Sequence, residues 1–137
     1  MMKHEFELII YNEDIDYSGV VYHANYLKYL ERARLAWFKA LGFGLEQQKH
    51  HGYLYTIKHI DLTYFRPARM DDRLKITTNV EIIGRAKAQL RFYQEIDNLT
   101  TQVSPMTKAE IHIVCVNSDM RPTPMPNVLL EKLNKLG

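Results

Sequence analysis

The stretch from Glu13 to Arg34, EDIDYSGVVYHANYLKYLERAR, holds three carboxylates in four positions, then a glycine, then His23. An unperturbed aspartate ionises near pH 3.9, so Asp16 is a carboxylate at neutral pH. It can take a proton from an attacking water or attack an electrophilic carbon itself. Seven positions later His23 stands where an amphipathic run begins. The first amides of a helix have no partner within it, and the helix dipole favours negative charge there. If the helix begins near His23, no Ser, Thr or Asp occupies the cap position in VVYHA. An amide left free at that point can donate to a developing oxyanion. The same residues also fit a plainer reading, with Asp14 and Asp16 as turn acids beside Gly19. In that reading Asn25 is an ordinary N-cap and the helix starts one turn later. Glu13 and Asp14 are read as structural in either case.

Other reactive residues carry less. Cys115 lies in AEIHIVCVN, on the strand face it shares with Ala109, Ile111 and Ile113, and reads as a small inert hydrophobe. His50 and His51 are adjacent, and none of the six histidines has zinc-motif spacing, so no metal and no cofactor are expected. Gly42 and Gly44 follow a helix, whereas a phosphate loop precedes one.

The elements that must position Asp16 and His23 are legible from periodicity. EFELII reads as a first strand. From Ala24 to Leu41 the period changes to that of a helix: Tyr26, Leu30, Ala33, Trp37, Ala40 and Leu41 share one face, and Lys28, Glu31, Arg32 and Lys39 the other. LGFG supplies a glycine C-cap, and a short helix covers Leu45 to His50. Then come YLYTIKHIDLTYF, LKITTNVEII, AQLRFYQEI and AEIHIVCVN, β-branched, aromatic and alternating. Such alternation predicts an antiparallel sheet with one buried face, so the class is α+β, a curved sheet packed around one helix. RPTPMPN bends the chain before a last short helix.

The 137 residues suit one domain, 1–137, with no repeat and no linker. A net charge of +2 without a basic stripe argues against nucleic acid as partner. No apolar run approaches a membrane span, and a lone cysteine fits a reducing compartment, so a cytoplasmic protein is expected.

Three segments together resemble a known family. YNEDIDYSGVVYHANYLKYLERAR is similar to the signature of hot-dog-fold acyl-CoA thioesterases of the 4-hydroxybenzoyl-CoA thioesterase and YbgC type. DLTYFRPARMDDRL and HIVCVNSDMRPTPMP resemble that family's second hallmark and its last strand. The resemblance implies a five-stranded antiparallel sheet wrapped around one long central helix. It also implies homo-oligomers, dimers commonly paired into homotetramers, with active sites at subunit interfaces. It implies that the substrate is an acyl-CoA, that Asp16 is the acid, and that the backbone N–H at His23 serves the oxyanion. It puts the His23 side chain, Gly19 and Tyr22 beside the substrate. Asn12 departs from the pattern, because many relatives carry tyrosine there.

Thioester chemistry asks for little beyond these groups. The leaving thiolate has a conjugate acid of pKa about 8.5, so no general acid is required. Whether Asp16 acts as base or nucleophile stays open. Thioesterases acting on carrier-protein acyl groups and non-catalytic acyl-CoA-binding modules share the fold and remain alternatives. CoA carries phosphates, and Arg85 with Lys87, in the turn IIGRAKAQ, would reach them together if the chain is extended there. The position of Arg85 resembles a CoA-phosphate contact of the family, although a basic turn is also simply soluble.

Overall fold

The structure, a computed structural model, describes residues 3–136. Its elements run β1 (His4–Ile9), α1 (Asn25–Ala40), α2 (Leu45–His50), β2 (Leu54–Tyr64), β3 (Arg73–Ile83), β4 (Gln89–Asn98), β5 (Val103–Val116) and α3 (Asn127–Leu136). The five strands form one sheet in the order β1-β3-β4-β5-β2, every pair antiparallel. This is the hot-dog arrangement, with α1 as the central helix.

Alternation decides which side of the sheet meets α1. Leu74, Ile76, Thr78 and Val80 of β3 are buried, as are Leu90, Phe92 and Ile96 of β4 and Ile111, Ile113 and Cys115 of β5. On α1, Tyr26, Tyr29, Leu30, Ala33, Trp37 and Phe38 are buried against them, and the Trp37 ring meets Phe92 edge-on at 5.2 Å. Ala40, expected on the apolar face, is exposed at the helix end.

Several inner strand positions are polar, among them Thr78, Gln94, Asn98 and Thr107. Gln94 is buried and donates to the Leu30 carbonyl at 3.0 Å and to Thr78 Oγ1 at 3.1 Å, while Arg34 Nη1 donates to Gln94 Oε1 at 3.1 Å. Directional bonds in a dry core set the height of α1 on the sheet in a way that apolar contact does not. Burial lowers the Arg34 pKa to about 10.

The ends of α1 differ from expectation by one residue. Ala24 is the N-cap and makes no side-chain cap bond, and Leu41 is the C-cap. Gly42, at φ +83°, donates to the Lys39 carbonyl at 3.0 Å and Phe43 donates to Phe38 at 2.9 Å. That pair of bonds is a Schellman closure, and it requires the left-handed residue. The last strand is longer than its alternation indicates, starting at Val103 instead of near Ala109. Pro105 hides that start, because proline normally marks a strand's end; here it sits at a bulge, between the pairs Asn98↔Val103 and Ile96↔Thr107.

Candidate active site

After β1 the chain makes a tight turn at Asn12–Asp14, and Ile15 then pairs with Val21 across a second turn. Within it the Asp16 N–H donates to Val20 at 2.9 Å and the Gly19 N–H to Asp16 at 3.1 Å, with Gly19 at φ +87°. A side chain other than glycine is strained there. Asp16 Oδ1 accepts from the Ser18 hydroxyl at 2.6 Å and from the Ser18 N–H at 2.8 Å. Those bonds, the hydroxyl's first, hold the Asp16 carboxyl below the usual aspartate pKa. Oδ2 has no protein partner among the described residues. Ser18 carries a role that the sequence reading misses; its signal is the Asp-x-Ser spacing of a side-chain-closed turn.

The return strand delivers His23. The Tyr22 N–H donates to the Asp14 carbonyl and the Val21 N–H to Ala68, both at 2.9 Å. The Asn25 N–H closes a turn onto Tyr22 at 2.9 Å, and the Leu27 N–H reaches Ala24 at 3.2 Å. Among the described residues the N–H groups of His23 and Ala24 donate to nothing. The start of α1 therefore lies two residues past His23, and the free amides are in the turn that leads into the helix. Asn25 is not the cap; it is the first helical residue, and its side chain turns back toward Asp14.

Two tyrosines hold this region, one tying the turn to the end of β2 and one tying α1 to the segment between β2 and β3. The Tyr64 hydroxyl, at the end of β2, donates to the His23 carbonyl at 2.8 Å, and the Ala68 N–H donates to the Tyr26 hydroxyl at 3.0 Å. Burial raises the pKa of both phenols, so they stay protonated at neutral pH. A cleft of about 260 Å³ is bordered by Asp16, Val20, His23, Tyr64, Phe65 and Arg66. The structure thus brings Asp16 and His23 to one cleft. Gly19 shapes the Asp16 turn, and the Tyr22 ring stacks edge-on against His23 at 4.7 Å. Arg66, not singled out by the sequence, is the cation at this cleft.

Arg85 and Lys87 lie elsewhere. The segment between β3 and β4 is not extended: Gly84 and Lys87 have φ of +80° and +56°. The register Gln89↔Val114 and Thr56↔Val114 sets this turn at the same end of the sheet as the start of β2, with β5 between them, whereas Tyr64 ends that strand. The stretch from Thr56 to Tyr64, matched by seven steps of β5 because of the bulge, spans roughly 24 Å. Within one chain the two basic residues do not meet Asp16. Cys115 is buried, and burial pushes its thiol up to about 11, in keeping with an inert residue. Among the described residues no group of three His, Cys, Asp or Glu is placed to hold a metal, and no helix is long and apolar enough to cross a membrane.

The Asp16 environment makes a pH prediction. Ser18→Ala removes the strongest cause of the lowered pKa, so the carboxyl titrates at higher pH than in the wild type. Folded-state depression also means the turn's stabilisation holds above the unfolded pKa and fades as pH falls through the folded one. NMR titration of the Asp16 carboxyl in both proteins checks it; an unmoved midpoint would show that Ser18 does not tune the acid.

Comparison with known proteins gives concordant matches. A family described as the thioesterase-like superfamily matches residues 12–133. The acyl-CoA thioester hydrolase YbgC of Escherichia coli is 32% identical over 127 residues, 92% of each chain. The acyl-CoA thioesterase YbgC of Haemophilus influenzae is 35% identical over 127 residues, 88% of this chain and 87% of that one. Among solved structures, a DHNA-CoA thioesterase from Staphylococcus aureus superposes with a TM-score of 0.90 at 22% identity, covering 99% of this chain and 91% of the other.

Proposed function

This chain belongs to the thioesterase-like superfamily and is a YbgC-type hydrolase, and we propose that it cleaves an acyl-CoA thioester to the free acid and CoA at the Asp16–His23 cleft. The observation that carries the reading is an ionised carboxylate with one unbonded oxygen beside a turn that ends in free amides. The thioester oxygen takes the His23 amide, which holds the charge that develops as the carbonyl carbon becomes tetrahedral. Asp16 either removes a proton from the attacking water or attacks the carbon to give a mixed anhydride that water then opens. The tetrahedral centre expels CoA as its thiolate, which needs no proton to leave. The His23 side chain, Gly19 and Tyr22 frame the acyl group and thioester in this reading.

The cleft is small for such a substrate, since ligand sites usually enclose about 300 Å³ or more. The missing wall has a natural source. β2 is an edge strand of eleven residues, largely exposed, and it runs into the cleft at Tyr64 and Phe65. A second copy pairing along this edge would cover it and close the site, giving a dimer and, by pairing of dimers, a homotetramer. Leu35, half-buried on the outer side of α1, offers further apolar surface. Arg85 and Lys87 serve the CoA phosphates only in such an assembly, from the partner copy. The single free cysteine fits a cytoplasmic setting.

Thiol release from a panel of acyl-CoAs and the matching acyl-pantetheines tests the function. Turnover of at least one acyl-CoA is expected. No release from any CoA ester, with release from acyl carrier protein, would reassign the donor; binding without release would make the protein a carrier of acyl-CoA. In the same assay Arg85→Ala with Lys87→Ala raises KM for the acyl-CoA severalfold with kcat unchanged, because a remote contact is made equally in ground and transition states. An equal effect on acyl-pantetheine, which has no nucleotide, would sink the phosphate role.

A further inference from the structure

Asp14 makes five bonds, one of them its own N–H donating to the Tyr11 carbonyl at 3.0 Å. Its Oδ2 accepts from the Tyr11 N–H at 2.9 Å, and its carbonyl from the Tyr22 N–H at 2.9 Å. Asn25 Nδ2 approaches Asp14 Oδ1 at 3.4 Å and the Asp14 carbonyl at 3.5 Å. The residue therefore joins three pieces of chain: the end of the segment leaving β1, the return strand that carries His23, and the first residue of α1. Asp16 is two positions downstream on the same backbone. The buried Tyr29 hydroxyl adjoins the same group without a hydrogen-bond partner among the described residues. Burial first, then the Asp14 carboxylate, holds its pKa above the ordinary phenol range. The Tyr11 bonds close the Asn12–Asp14 turn, but the Oδ1 contact to Asn25 reaches beyond that turn to the start of α1.

We propose that the Asp14 carboxylate is a positioning group for the hydrolysis: bonding the Tyr11 N–H on one side and Asn25 Nδ2 on the other, it holds the Asp16 carboxylate and the free His23 amide in one frame. The proposal rests on the roles given to Asp16 and His23 above. The carboxylate and the amide lie on opposite arms of the loop, and their separation must match a thioester undergoing attack. Without the Asp14 side chain, the two arms are tied by the backbone bonds of the Ile15–Val21 bridge, Tyr22 N–H to the residue 14 carbonyl and Asp16 N–H to Val20, and among the described residues no side chain of the Asp16 arm then bonds the first residue of α1. Misplacement of about 1 Å at a reacting centre can cost up to two orders of magnitude in rate.

The experiment compares wild type, Asp16→Asn, Asp14→Ala, Asn25→Ala and the swapped pair Asp14→Asn with Asn25→Asp, measuring kcat, KM and melting temperature for one acyl-CoA. The swap restores one donor facing one acceptor in reverse, and the amide oxygen introduced by Asp14→Asn still accepts from the Tyr11 N–H. Expected are a fall in kcat of about tenfold or more in Asp14→Ala and Asn25→Ala, little change in KM, and recovery of most of the loss in the swap. Full kcat per folded molecule in Asp14→Ala, or in Asn25→Ala should the first not fold, overturns the proposal. So does a swap as slow as the single variants, since a bridge made by this hydrogen bond must survive its reversal, whereas a need for the negative charge at position 14 itself does not. If wild type releases no thiol, or Asp16→Asn keeps its turnover, the functional reading fails first and the role of Asp14 falls with it.

Discussion

Asp16→Asn is expected to lower turnover of the best acyl-CoA by about two orders of magnitude or more, with the fold intact. The substitution keeps the shape of the side chain and one oxygen able to accept from the Ser18 hydroxyl and N–H, so the turn that carries it survives. What it removes is the anion. An amide neither takes a proton from water at neutral pH nor attacks a carbonyl carbon, so the loss appears in kcat whichever of the two roles Asp16 plays. The same anion sets the acid limb of the rate profile: protonation silences it, and its lowered pKa places that loss below the usual carboxylate range. Thiol release checks the first point, and circular dichroism checks the fold. Near-wild-type turnover in Asp16→Asn would remove the acid from the mechanism.

Ile60→Asp is expected to leave a folded monomer with turnover reduced by about two orders of magnitude. A bulge in β2 carries the argument. Ile57 pairs with Ile113, but after the bulge His59 pairs with His112 and Ile60 with Ile111. The extra residue returns Ile60 to the face of Ile57, beside two buried isoleucines of β5. Both β2 isoleucines nevertheless stay open, at 48% and 38% exposure, because no strand lies beyond them. Apolar residues on the core face of an unpaired edge suit a second copy. A carboxylate there would be desolvated without a partner on association. With the neighbouring copy gone, the cleft loses its second wall, and the positional part of catalysis is lost with it. Light scattering at micromolar concentration reads the first outcome and thiol release the second. A wild type that is monomeric and fully active, or an Ile60→Asp variant that remains an active oligomer, would place the complete site within one chain.

Much of the fold was legible because alternation is a local signal. A strand with one buried face writes period two into its residues, and LKITTNVEII does so without a break. The α1 stripe and its closing glycine are equally local. AQLRFYQEIDN was less readable, since Gln94 occupies a core position. A buried amide is acceptable only when its partners stand in place, and these come from residues 16 and 64 positions away. The start of β5 was hidden because Pro105 reads as a break unless the partner strand is known to bulge.

Residue type and short spacing by themselves determined the chemistry on offer: an aspartate before a glycine turn, a histidine at a helix start, and a sheet able to hold them. Tertiary structure decided which groups share a cleft. It set Asp16 and His23 together through the Ile15–Val21 bridge and the Tyr64 bond, and it brought Arg66 beside them. It placed Arg85 and Lys87 at the end of the sheet opposite Tyr64. Backbone turns are governed by neighbours in the chain, so a turn acid can be recognised from its own few residues. Strand register is set by the cooperative burial of a whole face, so the distance between two sites on one sheet is known only once every strand has found its partner.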